Sequence, residues 1–321
     1  MKGAFIARFA AIAIALFAFE LFAAQKPTLR IAAQQTPAYA SLWVAKELGW
    51  FDEEFKKVGA TYTWNVFSAG PLVNEALSAD GADLGVSGDQ PAITARSAGL
   101  DVIVVANLGS GERTIGLIAP PNSSLKTVKD FKGKKIAYGK GSTVHHLLDL
   151  LLKENGLSKS DVEHINLGAE DIGAALDRGD VDGALTWDHT LTKLISEGRA
   201  RLIADGSGIK LTNRVNYVTR SFAEKHPEVI AAYIRAIDRG AQWIEGDNKD
   251  EAYKLLAPIF KLDRDTFSKV FANQKLYTKF SKRDLDEIRS VKDYLLKERL
   301  IRNDIDIDKF ITTKYIEAAG I

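Results

Sequence analysis

Residues 136–146 read Ile136-Ala137-Tyr138-Gly139-Lys140-Gly141-Ser142-Thr143-Val144-His145-His146. A short apolar run ends in glycines and hydroxyls, and a helical stretch follows. The segment therefore reads as a strand turning into a helix, with backbone N–H groups left unpaired at the turn. Such a turn suits an anion. The same punctuation recurs around Pro37, at Gly70 and Pro71, at Asp89 and Pro91, and at Trp187 and Asp188. Strand-to-helix turns repeated in this way predict an α/β protein whose turns all face one cleft.

Outward from that stretch, strands alternate with helices. Leu29–Ala33, Tyr62–Phe67, Asp83–Val86 and Val102–Ala106 read as strands, with helices through Trp43 and Leu48, through Val73 and Leu77, and through Ile93 and Ala98. A second series follows the loop Pro120–Ser124: a short helix at Val128–Phe131, strands at Lys135–Tyr138, Val162–Leu167, Gly183–Thr186 and Ala200–Ile203, and helices over 142–155, 171–178 and 189–197. Alternation of this kind argues for right-handed βαβ units and a mostly parallel sheet. Thr114–Ala119 and Asn216–Thr219 read as connections between two lobes. The expected layout is residues 25–115 with 217–321 as a discontinuous first lobe and 116–216 as the second. Two α/β lobes joined by two extended segments make a hinge. From Ser221 onward the pattern is helical, and Trp243, Tyr253, Phe260, Phe267 and Phe271 read as core and covering residues.

Residues 1–24 carry Lys2 and Arg8 ahead of a run of Ala, Ile, Leu and Phe broken only by Glu20. This is the form of a secretory signal, and its uninterrupted apolar run is shorter than the ~20 residues a spanning helix needs. The chain has no cysteine, hence neither a lipid-modified N-terminal Cys nor a disulfide framework. The expectation is an exported protein, free in a periplasm. Cleavage after residue 24 removes Lys2, Arg8 and Glu20 from totals of 43 basic and 42 acidic residues, which leaves the two signs balanced. Nucleic-acid binders carry a basic face, so that class is set aside. A length of roughly 300 residues exceeds what one hydrophobic core organises and favours two lobes.

In open α/β sheets ligands sit beyond the carboxyl ends of the strands, where helix starts converge. Each start contributes free N–H donors and about half a positive charge, so several together can hold an anion without Lys or Arg. Gln34, Gln35, Ser68, Ser87, Ser142, Thr143 and His145 add donors at these turns. Each of the hydroxyls, taken alone, also reads as an ordinary helix cap.

Catalysis finds less support. His145 with Asp89 or Asp188 would supply a base and its orienter, but there is no cysteine nucleophile and no Gly-x-Ser-x-Gly elbow. Neighbouring His145 and His146 diverge on a helix, which is poor for one metal site, and neither a metal nor a cofactor is expected. The glycines from 133 to 141 lack the spacing and the Ser or Thr after Lys140 that a phosphate loop requires.

Phe67-Ser68-Ala69-Gly70-Pro71 with Glu75-Ala76-Leu77, then Asp83-Leu84-Gly85 with Gly88-Asp89-Gln90-Pro91, resemble the aliphatic-sulfonate-binding proteins of ABC importers. Lys140-Gly141-Ser142-Thr143 with His145, Gly179-Asp180-Val181-Asp182 and Trp187-Asp188 continue the likeness in order. The resemblance implies a type-II periplasmic binding fold, monomeric, with a small organic anion between the lobes and a membrane permease with its cytoplasmic ATPase as partner. It implies that Gln34 reaches in from the first turn, that Gly70 and Pro71 present a helix start, and that Gly88 and Asp89 line the floor. Gly141, Ser142, Thr143 and His145 would then meet the head group from the second lobe, Trp187 would wall the organic tail, and Asp188 would orient the turn. The family commonly has proline after Trp-Asp, where this chain has His189. Taurine, nitrate and a thiamine pyrimidine precursor stand as alternative ligands within the wider superfamily. Pyrimidine-synthesising enzymes share its fold, and a ligand sensor would share its pocket.

Overall fold

A computed structural model describes residues 26–321, so the expected signal segment lies outside the described residues. The strands form two five-stranded sheets. The first contains β1 (Thr28–Gln34), β2 (Thr61–Phe67), β3 (Leu84–Gly88), β4 (Val102–Gly111) and β10 (Thr212–Thr219), in the order β2-β1-β3-β10-β4. The second contains β5 (Ile115–Ala119), β6 (Lys135–Tyr138), β7 (Glu163–Asn166), β8 (Gly183–Trp187) and β9 (Arg201–Asp205), in the order β7-β6-β8-β5-β9.

Between and after the strands run helices α1 (Ala40–Glu47), α2 (Trp50–Lys57), α3 (Gly70–Ser78), α4 (Asp89–Ser97), α5 (Thr143–Glu154), α6 (Ala169–Arg178) and α7 (Thr190–Ser196). The helical C-terminal region holds α8 (Arg220–Lys225), α9 (Pro227–Glu245), α10 (Lys249–Phe260), α11 (Arg264–Ala272), α12 (Lys282–Lys297), α13 (Ile307–Phe310) and α14 (Lys314–Ala318). None of the helices among the described residues is long and apolar enough to cross a membrane.

The sheets are mixed rather than mostly parallel. β1 pairs in parallel with β2 and β3, and β6 with β7 and β8. β10 is antiparallel to β3 and β4, and β5 to β8 and β9. The physical reason is the double crossing. β4 and β9 end at the cleft, the chain passes across, and the next strand, β5 or β10, enters its sheet starting from the cleft. An entering strand must therefore run against its neighbours. The crossings are residues 112–114 and 206–211. Thr114–Ala119 is almost wholly β5, and Asn216–Thr219 is the second half of β10, so the extended pattern there marks strands instead of connections.

Helix α2 has no counterpart in the sequence reading. Gly49, at φ +74°, turns the chain after α1, and Trp50, Phe51 and Phe55 then bury one face of a new helix. One core flanks the first sheet through α1, α2 and α9, with Phe51 stacked on Tyr233 at 5.4 Å. The opposite face is covered by α3, α4 and α12. Trp243, Tyr253, Phe260, Phe267 and Phe271 all join the first of these cores or pack against it.

The register of β10 with β4 shifts between Asn213, opposite Ser110, and Val215, opposite Asn107, so Leu108 and Gly109 of β4 form a bulge facing Arg214, which stays paired with Gly88 of β3. The β4 segment across from Arg214 contains Gly109, at φ +105°, where a Cβ would stand 1.9 Å from the Lys275 carbonyl oxygen. Ser110 exchanges both backbone hydrogen bonds with Lys275 at 3.0 and 2.9 Å, so that segment cannot withdraw freely. Replacing Gly109 with alanine is expected to cost about 2–5 kcal/mol, from left-handed strain plus overpacking. Denaturant unfolding of the variant checks this, and an unchanged midpoint would contradict the packing described.

Candidate ligand-binding site

The carboxyl ends of β1, β3, β6 and β8 converge on a cleft of about 880 Å³ between the two sheets. Helix starts border it from both sides. From the first sheet come the turn at Pro37–Tyr39, capped by the Thr36 hydroxyl, and the starts of α3 and α4, which have no side-chain cap. From the second come the starts of α5 and α6, likewise uncapped by a side chain, and the start of α7. The α6 start, Leu167 to Glu170, is missing from the sequence reading, because Gly168 carries no hydroxyl or carboxylate to mark a cap.

Several expected residues do border the cavity: Gln34, Gly70, Pro71, Gly88, Ser142, Thr143, Trp187 and Asp188. Gln34 is already engaged, donating from Nε2 to the Val86 carbonyl at 3.1 Å and to Tyr39 Oη at 3.3 Å. Gly70 serves close approach, since a Cβ there would stand 2.6 Å from Pro91 Cγ. Thr143 faces the opposite lobe, its Oγ1 lying 3.8 Å from where a Cβ on Gly88 would be. Ser142 Oγ turns back to donate to the Gly139 carbonyl at 2.6 Å. The Trp187 ring lies against Gly139, where a Cβ would approach its Cη2 to 3.0 Å. Asp188 accepts from the Thr192 backbone at 3.2 Å and from Asn273 Nδ2 at 3.0 Å, so it caps α7 and reaches across the cleft. His189 also borders the cavity, and burial lowers its pKa, which keeps the ring neutral.

Asp89, Gly141 and His145 are not among the cavity-lining residues. Asp89 is 1 % exposed, accepts from the Gln90 backbone at 2.8 Å, and leaves Oδ2 unpartnered. Burial pushes its carboxyl up to about 6, against the pull of Lys210. As the first residue of α4 it turns beneath the floor that Gly88 forms. Gly141, at φ +77°, donates its N–H to His145 Nδ1 at 3.2 Å, and its carbonyl accepts from Gln90 Nε2 across the lobes. His145 stacks on Tyr138 with ring centres 5.0 Å apart, and burial lowers its pKa. It closes the Lys140–His145 turn from behind.

The residue the sequence reading missed is Arg214. It borders the cavity at the cleft end of β10 and is 3 % exposed. Its Nη1 has no hydrogen-bond partner among the described residues, and it forms no ion pair there. Tyr39, Asp188, Tyr277 and Asp89 surround it at a distance, and burial lowers its pKa. A guanidinium remains charged in proteins regardless. A buried charge without a partner is costly, and an anion in the cleft removes that cost. The only sequence signal was a lone Arg in the run Leu211-Thr212-Asn213-Arg214-Val215-Asn216-Tyr217-Val218.

Comparisons with known proteins agree with the two-sheet fold. The family model described as NMT1/THI5 like matches residues 36–251. A putative aliphatic sulfonates-binding protein of Bacillus subtilis is 29% identical over 297 residues, 92% of this chain and 89% of that protein. The taurine-binding periplasmic protein of Escherichia coli is 31% identical over 258 residues, 78% of this chain and 77% of its own length. Among solved structures, the alkanesulfonate-binding protein SsuA from Xanthomonas axonopodis pv. citri, bound to MOPS, superposes with a TM-score of 0.81 at 29% identity, covering 90% of this chain and 100% of that one. With two mixed sheets enclosing a cleft, and with a family match that spans most of both lobes, the chain belongs to the NMT1/THI5-like family.

Proposed function

We propose that this protein is the solute-binding component of an ABC importer, and that it captures an organosulfonate anion in the cleft for delivery to a membrane permease. The observation that carries the reading is Arg214, a buried guanidinium at the cavity wall that forms no ion pair among the described residues. A sulfonate stays ionised at any physiological pH, and a planar guanidinium fork meets its oxygens well. Thr143 and the α5 start approach the same space from the second lobe. A head group held from both lobes has higher affinity for the closed form, and that difference drives closure over the crossings at 112–114 and 206–211.

A second feature favours a sulfur-bearing ligand over nitrate or a pyrimidine. Met1 is the only sulfur-containing residue of the chain, so a protein that begins at residue 25 contains no sulfur at all. Such a composition suits a protein made when sulfur is scarce. An enzymatic role has less support: no cysteine is present, and His145, the candidate base, is packed away behind the turn. Export to the periplasm is part of the proposal, as is action as a monomer.

Thermal-shift screening of ligand-free protein tests the reading, using sulfonates of graded tail length, taurine, nitrate, sulfate and hydroxymethylpyrimidine. A ligand that binds only the native state raises the melting temperature with its concentration. Stabilisation by sulfonates alone is the expected outcome, and stabilisation by the pyrimidine alone would overturn it. Trp187→Ala is expected to weaken long-tailed sulfonates more than methanesulfonate, on the order of tenfold for loss of a large buried contact. Calorimetry that finds a uniform loss across tail lengths would contradict its place as the tail wall.

A further inference from the structure

Helix α12 belongs to the first lobe but touches the second far from either crossing. Ile288, Val291 and Leu295 bury its inner face in the core that contains Ile93 and Ala95 of α4. Its first half meets the crossings: Glu287 Oε1 pairs with Lys210 Nζ at 2.8 Å, where the Lys210 side chain is fully buried, and Arg283 pairs with Glu112. Its last turns meet α5. The Tyr294 ring stacks on His146 with centres 3.7 Å apart and planes 10° apart, and Tyr294 Oη donates to Asp149 Oδ2 at 2.5 Å. Just past the helix, Glu298 pairs with Lys159 at 2.5 Å, and Lys159 also pairs with Asp149 at 2.8 Å.

Two crossings alone leave the lobes free to rotate about the line through them. Contacts at Tyr294 and Glu298 add an attachment away from that line. The attachment acts on the helix that matters for binding, because His146 lies one helical turn beyond Thr143, whose hydroxyl borders the cavity. Gln90, which donates to the Gly141 carbonyl, ties the same turn to α4.

We propose that Tyr294 is a positioning residue: through His146 and Asp149 it holds the Ser142–Thr143 helix start at the cleft and sets the angle between the lobes. Stacked rings tolerate little tilt, and the hydroxyl fixes the ring's position along α5. Changing the lobe angle therefore requires these contacts to break or slide.

The absence of cysteine from the chain makes a spectroscopic test direct. Spin labels at Ser78→Cys in the first lobe and Lys129→Cys in the second, both exposed positions, report the interlobe distance by pulsed electron resonance. In ligand-free protein Tyr294→Ala is expected to broaden the distribution and shift it by several ångström. Tyr294→Phe, which keeps the stack, should restore a narrow distribution near the wild-type distance. Tyr294→Phe combined with Glu298→Gln removes both polar ties and leaves the packing in place, so it carries the test if the alanine variant does not fold; it should broaden the distribution too. A wild-type distribution in Tyr294→Ala, or in the double variant where the alanine protein does not fold, would overturn the proposal, even with a lowered melting temperature. Because no ligand is present, the outcome is independent of the sulfonate reading.

Discussion

Sulfonate affinity is expected to fall roughly 30- to 3,000-fold in an Arg214→Gln variant, while the ligand-free protein keeps or gains stability. Truncating one partner of a buried charge pair costs about 2–5 kcal/mol, and each 1.4 kcal/mol is about tenfold in affinity. The stability side follows from the same observation. Arg214 has no ion-pair partner among the described residues, so its removal relieves a desolvated charge and breaks no salt bridge. Arg214→Lys should recover little, since an ammonium lacks the planar fork. Isothermal calorimetry and thermal denaturation on the same samples check both halves. Unchanged affinity, or a collapse of ligand-free stability, would contradict the role given to Arg214.

Asp89→Asn is expected to stabilise the protein at neutral pH and to tighten anion binding. Burial holds the Asp89 carboxyl at about 6, above its ordinary 3.8. Above that folded value the native state carries a desolvated carboxylate, so the penalty is fully present. It shrinks as pH falls through about 6, and it is gone below the unfolded value. The gain from Asp89→Asn should therefore be largest near pH 7.5, on the order of 2 kcal/mol, and should vanish near pH 4. Removal of a negative charge close to Arg214 favours an incoming anion for the same electrostatic reason. Unfolding curves at both pH values test the sign. A loss of stability at pH 7.5 would mean that attraction to Lys210 outweighs burial.

The helix starts were legible because their residues carry a local mechanism. Proline at 37, 71 and 91, glycine at 70 and 88, and the hydroxyls at 142 and 143 each restrict the backbone or offer a donor within a few residues of the turn. Side-chain direction within a turn was not legible. Gly88 and Asp89 are adjacent, yet one forms the floor and the other lies beneath it. Likewise Thr143 faces the cleft while His145, two residues on, faces Tyr138. On a helix successive side chains diverge, so a motif names the turn and not the side chains that reach inward.

Arg214 was hidden for a different reason. Its place at the cleft depends on β10 lying between β3 and β4, paired with Gly88 on one side and facing the β4 bulge at Leu108 and Gly109 on the other. The pairing in turn depends on Gly109 and on the segment around Lys275, more than 150 residues away along the chain from the former. Arg214 adds to the helix starts a charged cavity-lining group that the sequence reading did not include. The mixed sheet direction was hidden similarly, since only the double crossing makes β5 and β10 run against their neighbours.

The most direct test of the central claim uses the composition of the chain itself. Protein secreted and processed to begin at residue 25 contributes no sulfur, so long-wavelength anomalous diffraction from crystals grown with hexanesulfonate, free of sulfate, sees only the ligand. The expected result is a sulfur peak between the lobes, beside the Arg214 guanidinium and facing Thr143. A cleft without sulfur density at saturating hexanesulfonate, or a peak confined to another surface, would contradict capture of the sulfonate by Arg214.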